Sequence, residues 1–266
     1  MEAFADSNGI KIFYKTIGNG DPLVLIMGFG ADGTAWEKHL DMYAKHFRCL
    51  VIDNRGVGRS DQPAGPYSTQ SMATDVIAVM DHAQVAKAKV VGISMGGAIA
   101  QELALNYPNR VSGMVLVSTW PYFNKYTTAV YNNLKNLRKT SRPEDFMALL
   151  QLWIFAPPYY QTQQDQLQAG QQMAKDHPNP QSQEGFNGQL DACSSHNTVS
   201  RLGAINIPTL ITVGALDIFT PPGYSETLHK AIPNSQLDIY PDAGHVHHWE
   251  SLDRFNQSTT EFLLNH

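Results

Sequence analysis

The chain has 266 residues, 42% hydrophobic and 16% charged, which is enough apolar text for one substantial globular core carrying an insertion. A net charge of -5 with no basic stripe argues against a protein that grips nucleic acid through its phosphates, and no apolar stretch approaches the roughly 18 residues of a membrane span. Cys49 and Cys193 stand alone, too few for a disulfide framework and without metal-ligand spacing. The opening MEAFADSNGI lacks the basic region and apolar run of a secretory signal. The expectation is a cytoplasmic protein, monomeric or homodimeric, with no nucleic-acid or membrane partner.

In chain order, two segments rich in β-formers come first, Lys11 to Gly18 and Pro22 to Met27. Short apolar runs of strand length follow: Cys49 to Asp53, Ala88 to Ile93, Gly113 to Ser118, Thr209 to Gly214 and Ser235 to Tyr240. Continuous apolar strands of this kind suit a parallel sheet buried on both faces. Between them, Thr34 to His46, Thr69 to His82, Met95 to Tyr107, Gly223 to Ala231 and Trp249 to Leu264 read as helices, with Pro108 closing the third and Pro233 following the fourth. The alternation predicts an α/β sheet covered by helices on both faces.

That alternation stops once. Trp120 to Ala204 contains no apolar strand; it is helical, aromatic and glutamine-rich, and the run Met147 to Tyr160 is too apolar to stay solvated. The segment reads as a helical cap, residues 120–204, inserted after the sixth strand, with a Gln-rich helix facing water. Residues 1–119 and 205–266 then form the core domain.

The chemistry gathers at strand ends. Gly92-Ile93-Ser94-Met95-Gly96 is a G-x-S-x-G placed directly after an apolar strand and before a helix, with Gly97 following. Such a turn must be tight, so small residues flank it, and it lifts the Ser94 hydroxyl to a helix N-terminus that favours developing negative charge. A serine hydroxyl needs a base. Of ten histidines, His39, His46, His82, His177, His196, His229 and His266 lie in or beside helices or the cap and read as surface or packing residues. His245 follows Ala243-Gly244 in the loop after the last strand, from which it can reach back over the sheet edge. Position alone leaves His247 and His248 as rivals, better suited to begin the last helix and line a pocket mouth. As a metal cluster the three histidines have no matching Asp or His at another strand end.

A carboxylate should orient the base, and Asp217, just past the Thr209 to Gly214 strand, fits. The competing position after the sixth strand reads Ser118-Thr119-Trp120 and offers no acid, while Asp53 precedes the serine and suits a loop anchor. Acyl transfer also requires oxyanion donors. The Met95 N–H is one, and the loop "MGFGADG" supplies the other, the Phe29 N–H, with Gly28 and Gly30 letting the backbone turn inward. Phe29, Gly28, Trp120, Trp153, Phe155, Tyr159, Tyr160, Ile218, Phe219 and Val246 are candidates for an apolar substrate pocket. No basic cluster awaits a phosphate or polycarboxylate.

The order Ser94, Asp217, His245, together with "NGIKIFYKTIGNGDPLVLIMGFG", "FRCLVIDNRGVGRSDQPAGPY", "VVGISMGGAIAQELALNYPNRVSGMVLVS", "IPTLITVGALDIFTPP" and "AGHVHHWE", resembles the successive signatures of the α/β-hydrolase superfamily over nearly the whole chain. The branch it looks most like holds 3-oxoadipate enol-lactonases, small carboxylesterases and aminoacrylate-hydrolase-like proteins. The resemblance implies a mostly parallel eight-stranded sheet and a hydrolase without cofactor or metal, acting on a small ester, lactone or thioester through an acyl-enzyme. His245 is preferred over its rivals on this likeness as well as on position. The departure is Met27, where the superfamily usually places the histidine of a His-Gly pair in the oxyanion loop. Ser94 argues against dehalogenases and epoxide hydrolases of this fold, which use aspartate. Meta-cleavage C–C hydrolases share Ser-Met-Gly-Gly but usually show a longer Gly-rich loop. Cofactor-free haloperoxidase or perhydrolase chemistry, and ligand sensors that keep the three residues, are not separated from ester hydrolysis by those residues.

Overall fold

A computed structural model describes residues 1–266. Eight strands form one sheet: β1 (Glu2–Ser7), β2 (Ile10–Ile17), β3 (Asp21–Ile26), β4 (Phe47–Ile52), β5 (Ala88–Ile93), β6 (Val111–Val117), β7 (Thr209–Gly214) and β8 (Ser235–Tyr240). Their order is β1-β2-β4-β3-β5-β6-β7-β8, with β1/β2 and β2/β4 antiparallel and every other pair parallel. This is an α/β-hydrolase fold. The strand order doubles back at β3, so the C-terminal ends of β3 and β5 lie side by side. In an open parallel sheet such a crevice is where ligands bind.

The helices in chain order are α1 (Glu37–Tyr43), α2 (Thr69–His82), α3 (Met95–Asn106), α4 (Lys125–Arg138), α5 (Pro143–Ile154), α6 (Pro157–Thr162), α7 (Gln164–Lys175), α8 (Gln183–Ser195), α9 (Gly223–Ala231), α10 (His247–Glu250) and α11 (Leu252–Asn265). Helices α4 to α8 all fall between β6 and β7. In α7 only Leu167 is buried, and four of its glutamines face water while Gln171 donates to Gln151 Oε1 of α5 at 2.8 Å. Two expected helices differ in detail. Thr34 to His46 is a 3-10 turn, Gly33–Trp36, followed by the short α1, and the segment Trp249 to Leu264 is broken at Ser251 between α10 and α11. No helix is long and apolar enough to cross a membrane.

The sheet separates two cores. One, under α2, α3, α9 and the insertion, includes Val24, Ile26, Val90, Met95, Ile99, Leu116 and Tyr131. The other, under α1 and α11, includes Leu25, Met27, Trp36, Val91, Ile93, Val115 and Phe255. Strands β3 and β5 therefore contribute alternate residues to both faces, which is why they read as unbroken apolar runs.

Four of the five buried histidines belong to this framework. His39 Nδ1 donates to Asn256 Oδ1 at 2.6 Å, which leaves His39 Nε2 to accept from His248 Nδ1 at 3.1 Å. His247 spans Ser118 Oγ (3.1 Å) and Thr212 Oγ1 (2.9 Å), and His196 Nδ1 meets Thr69 Oγ1 at 2.8 Å. Burial pushes His39 and His196 down to about 4 and His247 to about 3, and drives His248 well below the usual range. A histidine whose folded-state value is depressed is neutral in both states above about pH 6.5. Below that pH only the unfolded chain takes the proton, so stability is lost as pH falls from about 6.5 toward 4, at about 1.4 kcal/mol per pH unit for each group. Urea titrations at pH 7 and pH 5 should show a marked loss of stability, and His39→Gln should flatten that dependence even if it lowers stability at pH 7. An unchanged slope in this variant would sink the assignment.

Candidate active site

The turn joining β5 to α3 sets the geometry of the site. Ser94 adopts φ +54° and ψ -115°, a conformation unfavourable for a side-chain-bearing residue and held by its surroundings. Its N–H donates to Val117 O at 2.8 Å, and its carbonyl accepts from Thr119 Oγ1 at 2.7 Å. Glycine is required on both sides of it. A Cβ on Gly96 would lie 2.1 Å from Ile26 O, and one on Gly92 2.3 Å from Gly96 O.

Three side chains from three separate loops meet here. His245 Nε2 lies 3.1 Å from Ser94 Oγ, and His245 Nδ1 donates to Asp217 Oδ2 at 2.9 Å. All three residues are at most 4% exposed. The Asp217 carboxylate is fixed by its own loop, its Oδ1 accepting the N–H groups of Phe219 (2.9 Å) and Thr220 (2.8 Å). Thr220 Oγ1 sits 2.9 Å from both Asp217 Oδ2 and His245 Nδ1 and 3.0 Å from Ser118 O. A hydroxyl has one proton, so an arrangement that satisfies the group has Thr220 donate to Ser118 O or the carboxylate while receiving part of the His245 N–H. Thr220 is a site residue that the sequence reading did not single out.

The loop after β3 passes over Ser94, with the Gly28 Cβ position only 3.1 Å from Ser94 Cβ. Asn54 Nδ2 donates to Met27 O at 2.9 Å, and Gln189 Oε1 accepts the Gly30 N–H at 2.9 Å, so the loop is tied to both the core and α8. Met27 itself points into the core beneath α1 and α11. The N–H groups of Phe29 and Met95 make no hydrogen bond within the protein. Asp53 is the anchor the sequence suggests: its carboxylate accepts the N–H groups of Gly33 and Arg59.

The candidate pocket residues divide. Phe219 meets the His245 ring edge-on at 5.0 Å, and Phe29 packs at 4.8 Å against Phe186 of the insertion. Trp120 is fully buried, 4.7 Å from Phe123. Val246 is buried beside His245, with its N–H donated to Ile154 O, and Trp153 packs partly buried against the larger core. Phe155 and Tyr159 stack on each other at 4.6 Å, and Tyr159 lines an outer groove with Trp249 and Glu250 rather than the space above Ser94. Ile218 is 50% exposed. His247 and His248 do begin α10, but they lie beneath the site and not at a pocket mouth, because Ser118, Thr212 and His39 take their ring nitrogens.

Residues 21–252 match the family described as alpha/beta hydrolase fold. The chain belongs to that family. It is 33% identical to the Mycobacterium tuberculosis protein BpoC, whose name places it provisionally among non-heme bromoperoxidases, over 96% of this chain and 98% of that one. It is 27% identical to 3-oxoadipate enol-lactonase 2 of Acinetobacter baylyi, covering 94% and 91% of the two chains. The enol-lactonase structure from Burkholderia xenovorans LB400 superposes with a TM-score of 0.89 at 25% identity, covering 98% of this chain and 100% of that one.

For this α/β hydrolase, Thr220→Val tests the buried hydroxyl. It keeps the volume but removes every hydrogen bond of Oγ1, and should cost about 1–3 kcal/mol of stability in denaturant titration. Hydrolytic turnover should fall with it. Full stability in this variant would mean that the hydroxyl does not hold the loops.

Proposed function

We propose that the protein is a serine hydrolase that cleaves a small, largely neutral carboxylic ester or lactone through an acyl-enzyme on Ser94. The observation that carries this reading is the unbroken hydrogen-bonded line from Ser94 Oγ through His245 to Asp217, at 3.1 and 2.9 Å, on a serine held in a strained turn.

In this reading His245 Nε2 takes the Ser94 proton as Oγ attacks the carbonyl carbon. The imidazolium that forms is stabilised by Asp217, whose carboxylate is already oriented by two backbone N–H groups. The free N–H groups of Phe29 and Met95 receive the oxyanion, and the positive end of α3 adds to their effect. The protonated His245 then gives its proton to the leaving oxygen. A water, deprotonated by His245, attacks the acyl carbon and releases the acid and Ser94. The aromatic lining and the lack of a basic cluster support an uncharged substrate, and the likeness to enol-lactonases supports a lactone as well as an open ester. Helices α4 to α8 serve as a cap over the reacting groups.

The likeness to BpoC favours one second reading. It is perhydrolysis, in which hydrogen peroxide replaces water in attacking the acyl-enzyme and leaves as a peracid.

A panel of p-nitrophenyl esters of increasing chain length, with several lactones, tests the reading. Wild type should turn over short esters continuously, and Ser94→Ala should lose about 1000-fold or more in kcat. A fluorophosphonate should lose fluoride to Ser94 Oγ and leave its phosphonyl group on the tryptic peptide holding Ser94 and on no other. Retained turnover in Ser94→Ala would overturn the acyl-enzyme. A single turnover with retained product would instead indicate a sensor.

A further inference from the structure

Tyr131, on α4, is a buried residue that the line from Ser94 to Asp217 does not use. Its ring stacks on Phe219 at 5.1 Å, the same Phe219 that meets His245 edge-on at 5.0 Å. On its other sides it packs at 5.7 Å from Phe29 and 4.6 Å from Phe123. The ring therefore stands between the loop carrying Asp217 and the loop carrying the free Phe29 N–H. Its hydroxyl is within reach of the Ser94 side chain, but the contact does not have the geometry of a formed hydrogen bond, so the buried O–H is left without a full partner. A buried hydroxyl left unpaired is costly, and few survive in native proteins without a reason. Burial above all, with the nearby Cys193 and Asp217 adding to it, raises its ionisation well above the ordinary phenol range, so the group remains an O–H donor. The indole Nε1 of Trp120, in the same aromatic cluster, is a second buried donor without a partner.

A donor beside Ser94 Oγ faces whatever is bonded to the carbonyl carbon that Ser94 attacks. The oxyanion is directed to the N–H groups of Phe29 and Met95, and the leaving oxygen to His245 Nε2. The acyl substituent is what remains. The aromatic rings around Tyr131 carry no charge, so the acceptor they accommodate is neutral. We propose that Tyr131 is a specificity-determining, substrate-contacting residue whose O–H donates to a neutral oxygen on the carbon next to the scissile carbonyl, so that α-alkoxy- and α-hydroxyacyl groups are preferred over plain alkanoyl groups. This rests on the ester-hydrolase reading above and narrows its substrate class.

The test is a matched pair, p-nitrophenyl methoxyacetate and p-nitrophenyl butanoate, which differ by an ether oxygen in place of a methylene. Their different intrinsic reactivities cancel when wild type is compared with variant on each. Tyr131→Phe should lower kcat/KM for the methoxyacetate about tenfold, and should leave that for the butanoate unchanged or somewhat raised, because no hydroxyl is then buried against a methylene. Tyr131→Met, which also lacks the hydroxyl, should show the same selective loss on the methoxyacetate. In a Ser94→Ala background, ligand NMR should find phenyl methoxyacetate bound more tightly than phenyl butanoate, and the preference should vanish in Ser94→Ala/Tyr131→Phe. Equal changes on both esters, or none, would overturn the proposal while leaving the acyl-enzyme intact. Full turnover by Ser94→Ala would strike the acyl-enzyme reading instead, and is seen separately.

Discussion

The structure depends on one close approach. The turn after β5 runs so near the end of β3 that the space belonging to a Cβ on Gly96 is already filled by the carbonyl of Ile26, 2.1 Å away. On the opposite side, a Cβ on Gly97 would meet Thr119 at 2.6 Å. Three glycines in six residues let α3 begin directly on top of the sheet, with Ser94 raised between β3 and β6. The strain at Ser94 is then held by its backbone bonds to Val117 and Thr119. A looser turn would relieve Ser94 and also lower its hydroxyl away from the Gly28 loop. The same contact that strains the serine brings two free backbone N–H groups, those of Phe29 and Met95, into its neighbourhood.

The remaining polar groups of the site are positioned by the ends of β6, β7 and β8 acting jointly. Ser118 follows β6 with φ +45°, its carbonyl facing Thr220 and its hydroxyl facing His247. Thr212 of β7 takes the other nitrogen of His247. His247 is thus a fixed crosslink two residues past His245, and the loop after β8 has little freedom to slide. Glu250 adds a clamp from above, its carboxylate accepting the N–H groups of Gly244 and of Ala156 in the insertion. The insertion and the His245 loop are therefore tied to one carboxylate. Displacing α5 and α6 would disturb the loop that carries His245.

Much of this was legible in the sequence because it depends on local spacing. Residues 88–98 show a strand, a glycine-flanked serine and a helix without reference to anything distant, and the runs of β3 and β5 are apolar throughout because both faces of the sheet are covered. Strand β1 was not legible: it is an edge strand in which Ala5 and Ser7 are the buried positions, and small residues leave no apolar alternation to read. His247 and His248 read as pocket-lining polar residues because histidine at a helix start is usually exposed. Their burial follows from Ser118, Thr212 and His39, partners that are far away in the chain and that no spacing rule connects to them. Thr220 and Tyr131 were missed for a related reason. Nothing in "DIFTPP" distinguishes a threonine that touches a carboxylate from one that caps a turn, and the buried stripe of α4, which holds Thr127, Val130, Tyr131 and Leu134, looks the same whether it covers a core or a reacting carbonyl.

That ambiguity in α4 bears on how such an enzyme chooses its substrate. The polar side chains that the core brings together at Ser94 are satisfied in advance: the carboxylate by Phe219, Thr220 and His245, the histidine by the carboxylate and the serine. An insertion that only had to exclude water would do best with apolar residues on its inner face. This one carries a phenol without a well-formed hydrogen bond, and a buried indole N–H in the same aromatic cluster is unpaired. Each such donor costs the free protein roughly 1–3 kcal/mol, a cost comparable to that of a sizeable core truncation. On the proposed reading, unpaired donors near Ser94 are stabilised when an acceptor arrives with the substrate, and they penalise a substrate that lacks one. On the proposed reading, reaction class and substrate choice have separate structural origins, the first in glycine spacing at the sheet edge and the second in the few polar atoms that the aromatic lining leaves without full partners.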